Sequence, residues 1–189
     1  MIVIGFPGVG KSTLAKTNKD YIDLESSNFV IPGTNLKITN WEQAYVNIAE
    51  DLSRQGYTVF VSSHKMVRNQ LLDSSEEVLA IVPSLELRDE WIQRLRERAE
   101  NSKGTKEYEK NRRALDHIAA GDNFEKYVED IFKDGKFVLY VITAMDYKLE
   151  SILPKAISIS SLKKSIDKLN DDQIAEVYKM ISEFTYPSN

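Results

Sequence analysis

The chain contains no cysteine, and its 189 residues include only 8 glycines and 5 prolines. Without cysteine there is no disulfide scaffold, no thiolate metal site and no cysteine nucleophile. A reducing, cytoplasmic setting is the expected one. No apolar run approaches the roughly 20 residues that a membrane span needs, so no membrane association is expected. Residues 1–5 are too short for the apolar core of a signal peptide and carry no basic lead. A basic surplus is missing too: 25 Lys and Arg face 29 Asp and Glu, for a net charge of −4. That balance disfavours a general nucleic-acid binder, whose phosphate partner demands excess positive charge. There is no internal repeat and no low-complexity stretch. What is present is a globular composition, 42% hydrophobic and 10% aromatic, at a length that suits one domain with a real core. Three of the eight glycines, Gly5, Gly8 and Gly10, fall within six residues.

Hydrophobic patterning predicts alternating strands and helices. Residues 1–4 form an apolar, β-branched run that reads as a buried strand. Further strands are expected at 21–25, 58–62, 78–82 and 136–143. Helical character is expected at 14–19 and again after 39, where Thr39 and Glu42 fit a capping box and Trp41, Tyr45, Ile48 and Leu52 follow at helical spacing. Gly56 ends that helix as a C′ glycine would. Residues 26–40, with Pro32-Gly33, read as loop. Pro83-Ser84 opens a long amphipathic helix with Leu87, Trp91 and Leu95 on one face, and 101–105 break it. Residues 108–132 are mostly helical, interrupted near Gly121-Asp122. A helical tail follows Pro154, with a second capping box at Asn170 and Gln173. This alternation argues for an α/β fold, a parallel sheet covered on both faces.

Gly5-Phe6-Pro7-Gly8-Val9-Gly10-Lys11-Ser12 matches G-x-x-x-x-G-K-[ST] at every fixed position, and Thr13 follows. Glycine lets the backbone curl until successive N–H groups point inward at phosphate oxygens. A helix starting near Lys11 aims its positive end at the same anion. Lys11 is placed to reach the β- and γ-phosphates, and the Ser12 hydroxyl to ligate Mg²⁺. A strand before the motif and helix-compatible residues after it supply the expected context. The motif begins at residue 5, so no partner domain is expected ahead of it in this chain. No Asn-Lys-x-Asp guanine motif is present, which disfavours a GTPase.

In an open α/β sheet the ligand site lies outside the carboxyl ends of the strands. The second strand ends Asp23-Leu24-Glu25-Ser26-Ser27, with Asp23 and Glu25 on one side. A carboxylate there can take a proton from an acceptor hydroxyl, hold Mg²⁺ through water, or simply decorate an exposed turn. The third strand ends Val61-Ser62-Ser63-His64-Lys65, with Arg68 one turn later. His64, Lys65 and Arg68 form a cationic cluster suited to an anionic acceptor. The alternative for His64 is a cap or packing role. Arg94 and Arg98 share a helix face, and Arg112 and Arg113 lie beyond the polar break. They read either as a closing lid over transferred phosphate or as an ordinary solvated helix.

These residues together resemble the phosphate-loop kinases of the nucleoside monophosphate kinase superfamily, which includes adenylate, shikimate and gluconate kinases. The runs Ile4–Thr13 and Ile22–Ser27, with Val61–His64 and Glu90-Trp91-Ile92-x-Arg94-Leu95-x-x-Arg98, are similar to small nucleotide-kinase-like proteins encoded by bacteriophages of Gram-positive hosts. The resemblance spans roughly residues 1–155; its one highly specific motif is the phosphate loop. It implies a three-layer α/β/α P-loop NTPase fold with a five-stranded parallel sheet of order 2-3-1-4-5. It implies a kinase core over 1–159, an acceptor-binding region at about 26–56, a helical lid at about 94–113 and a C-terminal helical tail at 160–189. Residues 143–148 would lie near adenine. The chain departs from the family pattern at the third strand, which lacks the usual acidic end, and in its lid arginines, which only approximate the paired clusters.

The expected function is transfer of the γ-phosphoryl group of Mg-ATP to a small acceptor, a (deoxy)nucleoside monophosphate above others. In that reading Gly5, Pro7, Gly8, Val9, Gly10, Lys11, Ser12 and Thr13 hold ATP, and Ser12 and Asp23 serve Mg²⁺. Lys11, Asp23, Arg94 and Arg98 are catalytic, while Glu25, Ser27, His64, Arg68 and Arg113 bind the acceptor. Two alternatives stand beside it. One is a kinase for a polynucleotide end or a modified base in DNA, disfavoured by the net charge. The other is a nucleotide-binding regulator with little turnover, whose tail, with Ile174, Val177, Tyr178 and Ile181 at helical spacing, docks a partner or a second copy.

Overall fold

The structure is a computed structural model and describes residues 1–34 and 36–153. The tail expected over 160–189, with its Asn170–Gln173 capping box, lies outside the described residues. Five strands, β1 (Ile2–Gly5), β2 (Tyr21–Asp23), β3 (Thr58–Val61), β4 (Val78–Pro83) and β5 (Val138–Ile142), form one all-parallel sheet of order β2-β3-β1-β4-β5. Seven α-helices accompany them among the described residues: α1 (Lys11–Thr17), α2 (Trp41–Arg54), α3 (Lys65–Leu71), α4 (Arg88–Asn101), α5 (Tyr108–Ala119), α6 (Asn123–Lys133) and α7 (Leu149–Ile152). None of these is long and apolar enough to cross a membrane.

Every residue of β1, β3 and β4 is buried. Side chains alternate between the faces of a strand, so unbroken burial means that both faces of the sheet centre are covered. That is why these strands are short, continuous apolar runs in the sequence. The edge strand β5 instead leaves Val138 and Tyr140 exposed. β1 is central, with Ile2 opposite Val59 on one side and Val78 on the other. The chain leaves β1 toward the β2 edge and leaves β4 toward the β5 edge, so a crevice opens beyond the carboxyl end of β1. Phe6, just past that end, is fully buried and meets Trp91, Phe124 and Tyr127 edge-on, with ring centroids 5.4–6.1 Å apart. This aromatic knot joins the first loop to α4 and α6, each contact adding about 0.5–1.5 kcal/mol beyond area burial.

Some local expectations are corrected. The Thr39–Glu42 capping box does not form: α2 begins at Trp41, and its N-cap is Asn40 in the left-handed region, φ 55°, without a side-chain cap bond. A capping box needs an extended N-cap residue with the acid three positions on, and Glu42 stands only two beyond Asn40. The buried face of α2 is Trp41, Tyr45, Val46, Ala49 and Ser53; Ile48, expected inside, is exposed. The other end matches expectation. Gly56 takes φ 93°, its N–H donates to the Ser53 carbonyl and that of Tyr57 to the Leu52 carbonyl, a Schellman ending. Residues 26–40 are not all loop, because Ser26–Phe29 form a 3₁₀ turn and Val30 pairs with Lys37 in an antiparallel bridge. A 3₁₀ turn at Leu85–Leu87 precedes α4, where one continuous helix was expected. The short α7 was not anticipated.

Candidate functional site

The Gly5–Ser12 loop leaves β1 and turns sharply into α1. Gly8 and Gly10 sit at φ 90° and 103°, which L side chains rarely adopt. Space excludes side chains as well: a Cβ on Gly5 would lie 2.7 Å from Lys11 Cδ, and one on Gly8 3.0 Å from Leu95 Cδ2. Two aromatic donors hold the loop from beneath. Trp91 Nε1–H donates to the Pro7 carbonyl at 2.8 Å, and the Tyr147 hydroxyl to the Val9 carbonyl at 2.9 Å. The two rings stack, 6.2 Å apart and 7° from parallel. With the carbonyls anchored to one side, no hydrogen bond within the described residues engages the backbone N–H groups of Gly8, Gly10, Lys11 or Ser12. A curled backbone with free N–H groups is a cradle for an anion.

Lys11 folds back over this cradle, donating to the Gly5 carbonyl at 2.6 Å. Burial pushes its ammonium down to about 8; Asp23 opposes the shift, Arg98 adds to it, Glu25 opposes and Lys110 adds. A desolvated, under-compensated cation is a strong attractor for phosphate oxygens. One residue on, the Ser12 hydroxyl donates to Asp23 Oδ2, tying the start of α1 to the end of β2. Tyr45 steadies the neighbouring strand ends: its hydroxyl donates to the Leu24 carbonyl at 2.6 Å and accepts from the Ser62 N–H at 2.8 Å. Burial raises that phenol well above its ordinary value, so it remains a donor.

The other residues singled out in the sequence divide between the crevice and elsewhere. Pro7 and Val9 contribute their carbonyls to the bracing, and Thr13 is exposed with its N–H turned back to Gly10. Arg98 is half-buried near Lys11. Arg94 lies over the stacked pair, its guanidinium 5.5 Å from the Trp91 ring centre and 5.3 Å from that of Tyr147. Glu25 reaches the crevice but is engaged by Lys110 of α5. Ser27 is exposed in its 3₁₀ turn, and Arg113 is exposed on α5 with no ion pair among the described residues. Arg68 is a correction. It is only 1% exposed, bonded to Asp134 at 2.5 Å and to the Ser63 carbonyl at 2.7 Å, so it braces the β3 turn from inside and faces no ligand. The expected cluster of His64, Lys65 and Arg68 is therefore a pair, the third cation being paired inside with Asp134.

His64 stands exposed at the N-cap of α3. With Lys37, Trp41, Lys65 and Met66 it lines a cleft of about 480 Å³. Partial desolvation in that wall lowers the imidazole below its ordinary value, helped by Lys37, His117, Arg68 and Lys11. Lys37 Nζ lies 3.1 Å above the Trp41 ring centre, and its own ammonium is lowered by burial.

Lys37, Trp91, Lys110 and Tyr147 went unrecognised as site residues. The tryptophan was visible as a core position of α4; the tyrosine fell within residues 143–148, expected near adenine, but without a role of its own; and Lys110 was one charge among many on a polar helix. Among the described residues no group of three or more His, Asp or Glu could hold a metal unaided. Ser12 and Asp23 nevertheless bring two hard oxygen donors together beside the cradle, which suits a magnesium ion that takes its remaining ligands from phosphate and water. The chain matches no protein-family model and no curated protein.

Proposed function

We propose that the chain is an ATP-dependent phosphotransferase with a P-loop NTPase fold, moving the γ-phosphoryl group of ATP to a small acceptor, a nucleoside monophosphate by preference. One observation carries the reading: the Ser12–Asp23 hydrogen bond stands at the mouth of a loop in which the N–H groups of Gly8, Gly10, Lys11 and Ser12 have no partner among the described residues and whose lysine is desolvated. The loop binds and orients the phosphates. Lys11 leaves the Gly5 carbonyl for phosphate oxygens, and Arg98 adds a second cation where negative charge gathers. Arg94, poised over Trp91 and Tyr147, offers a cation–aromatic wall for the nucleotide's ring. Ser12 and Asp23 would hold magnesium, which when bound neutralises phosphate charge and eases departure of the diphosphate.

The acceptor side is the cleft of Lys37, Trp41, His64, Lys65 and Met66, whose cationic rim and aromatic floor suit a phosphorylated ring compound. Transfer forms one P–O bond to the acceptor and breaks the bond to the bridging oxygen of the β-phosphate. A phosphate acceptor brings an ionised oxygen and needs no base. A hydroxyl acceptor surrenders a proton, and Asp23 is the carboxylate in the crevice placed to receive it. The test is ADP formation across nucleoside monophosphates, with Lys11→Ala as control. No turnover above that control with any acceptor refutes the nucleotide-kinase reading.

A second reading, a kinase for a polynucleotide end, draws on the same cleft. His64, Lys65 and Met66 are exposed at its rim, and no carboxylate lines it among the described residues. Binding of single-stranded DNA that weakens steeply with salt favours this reading; salt-independent or absent DNA binding favours the free mononucleotide.

A further inference from the structure

The contact between Lys110 and Glu25 joins parts of the chain 85 residues apart. Glu25 lies two residues past Asp23, along the strand edge that carries the Ser12 bond. Lys110 comes from α5, the second helix of the hairpin that packs through α4 against the loop. Both side chains are partly exposed, 42% for Lys110 and 33% for Glu25, so either can be drawn away without unburying a charge. The other basic residues of α5 are differently placed: Arg112 is paired within its own helix to Glu109 and Asp116, and Arg113 faces solvent. Lys110 has a local alternative in Glu107, 3.8 Å away, yet its closer partner is the distant Glu25. Around Lys11, three cations (Lys11 itself, Arg98 and Lys110) thus face two carboxylates, Asp23 and Glu25.

We propose that Lys110 is a ligand of the terminal phosphoryl group of a bound nucleoside triphosphate, and that Glu25 competes with that group for it. Glu25 is then a latch for α5 in place of an acceptor-binding residue. The competition has a physical basis. A half-exposed carboxylate offers one charge to a solvated ammonium, a pairing of little net strength. A terminal phosphoryl group offers up to two charges and three acceptor oxygens. The four loop N–H groups and Lys11 serve the phosphates within the cradle, and Lys110 is held on the next carboxylate outward. Lys110 therefore discriminates a triphosphate from a diphosphate. The proposal rests on the phosphate-loop reading of Gly5–Ser12.

Isothermal titration of the full chain with Mg-AMP-PNP and with Mg-ADP, at about 0.15 M salt to keep screening physiological, separates the two. Lys110→Ala is expected to weaken AMP-PNP by about tenfold and ADP by less than about twofold. Glu25→Gln, by freeing Lys110, is expected to tighten AMP-PNP by about threefold, a gain that misfolding cannot imitate. The double variant should match Lys110→Ala, because Glu25 acts only through the lysine. Wild-type binding with both single variants inside about twofold of it for both nucleotides overturns the proposal and leaves the loop reading standing. So does an equal loss for the two nucleotides. If the wild-type chain binds neither nucleotide, the loop reading fails and the role of Lys110 falls with it.

Discussion

Lys11 should take up a proton when a triphosphate binds. Its ammonium ordinarily titrates near 10.5, and burial holds it down to about 8. A lysine with a depressed value penalises the fold while it is protonated, so its cost is present below about pH 8 and is relieved as pH climbs toward 10.5. Phosphate oxygens reverse the imbalance and return the group to its ordinary range or above. At pH 9 a group with a value of about 8 is about one-tenth protonated, while its phosphate-paired form is nearly fully so; binding then takes up about 0.9 proton, against about 0.1 at pH 7. Calorimetric titration of Mg-AMP-PNP in two buffers of different ionisation enthalpy measures the uptake directly. Burial lowers the Met1 amine and raises the Tyr45, Tyr127 and Tyr147 phenols, which moves these groups away from titration near pH 9. Lys11→Met should lose the uptake along with affinity, and Lys11→Arg should lose the uptake alone, since a guanidinium stays charged throughout. An uptake at pH 9 no larger than at pH 7, or one that survives in Lys11→Met, refutes the reasoning.

Three further substitutions probe the supports of the site. Gly8→Ala places a methyl group 3.0 Å from Leu95 Cδ2 and 3.2 Å from Trp91 Nε1 at φ 90°; it should cost about 1–3 kcal/mol by thermal melt and abolish triphosphate binding. Tyr147→Phe deletes the bond to the Val9 carbonyl while keeping the ring on Trp91; a loss of about 0.5–1.5 kcal/mol is expected in urea, with weaker nucleotide binding, and unchanged affinity would dismiss the brace. Arg68→Met strands Asp134 without its partner in a site where the arginine is 1% exposed; denaturation should register a loss of about 3–5 kcal/mol, and a loss under about 1 kcal/mol would return Arg68 to the surface cluster expected from sequence.

The sheet was readable because its central strands are buried on both faces and so appear as apolar runs. The Gly5–Ser12 loop was readable because its backbone conformation and close packing demand particular residue types at fixed spacing. The supports of the loop were not. Trp91 Nε1 reaches Pro7 across 84 residues, and the Tyr147 hydroxyl reaches Val9 across 138. No local pattern encodes such partners. Arg68 shows the same limit in reverse. One turn after His64 and Lys65 it looked like part of a cationic surface, and only Asp134, 66 residues on, explains its burial. Helix phase was only partly legible: Trp41 and Tyr45 face the core as expected, but the face runs on through Ala49 and leaves Ile48 exposed.

The missing acid at the end of β3 also acquires a physical account. The positions where a carboxylate was expected are Ser62 and Ser63; the first holds the turn through its backbone, and the second through its side chain as well. The Ser62 N–H donates to the Tyr45 hydroxyl; the Ser63 side chain pairs with Tyr127 at 3.1 Å, and its carbonyl receives Arg68. A carboxylate at Ser63, which is 4% exposed beside the Tyr127 hydroxyl and the Arg68–Asp134 pair, would set a second buried negative charge against one buried cation. The acid that reaches Ser12 comes instead from β2, whose last residue, Asp23, lies opposite Phe60 in the sheet. Under the proposed function this moves the metal-side carboxylate one strand outward, toward the region expected to bind the acceptor. Asp23 then stands between the two substrates, and the same carboxylate can orient the Ser12 hydroxyl on one side and meet the acceptor on the other.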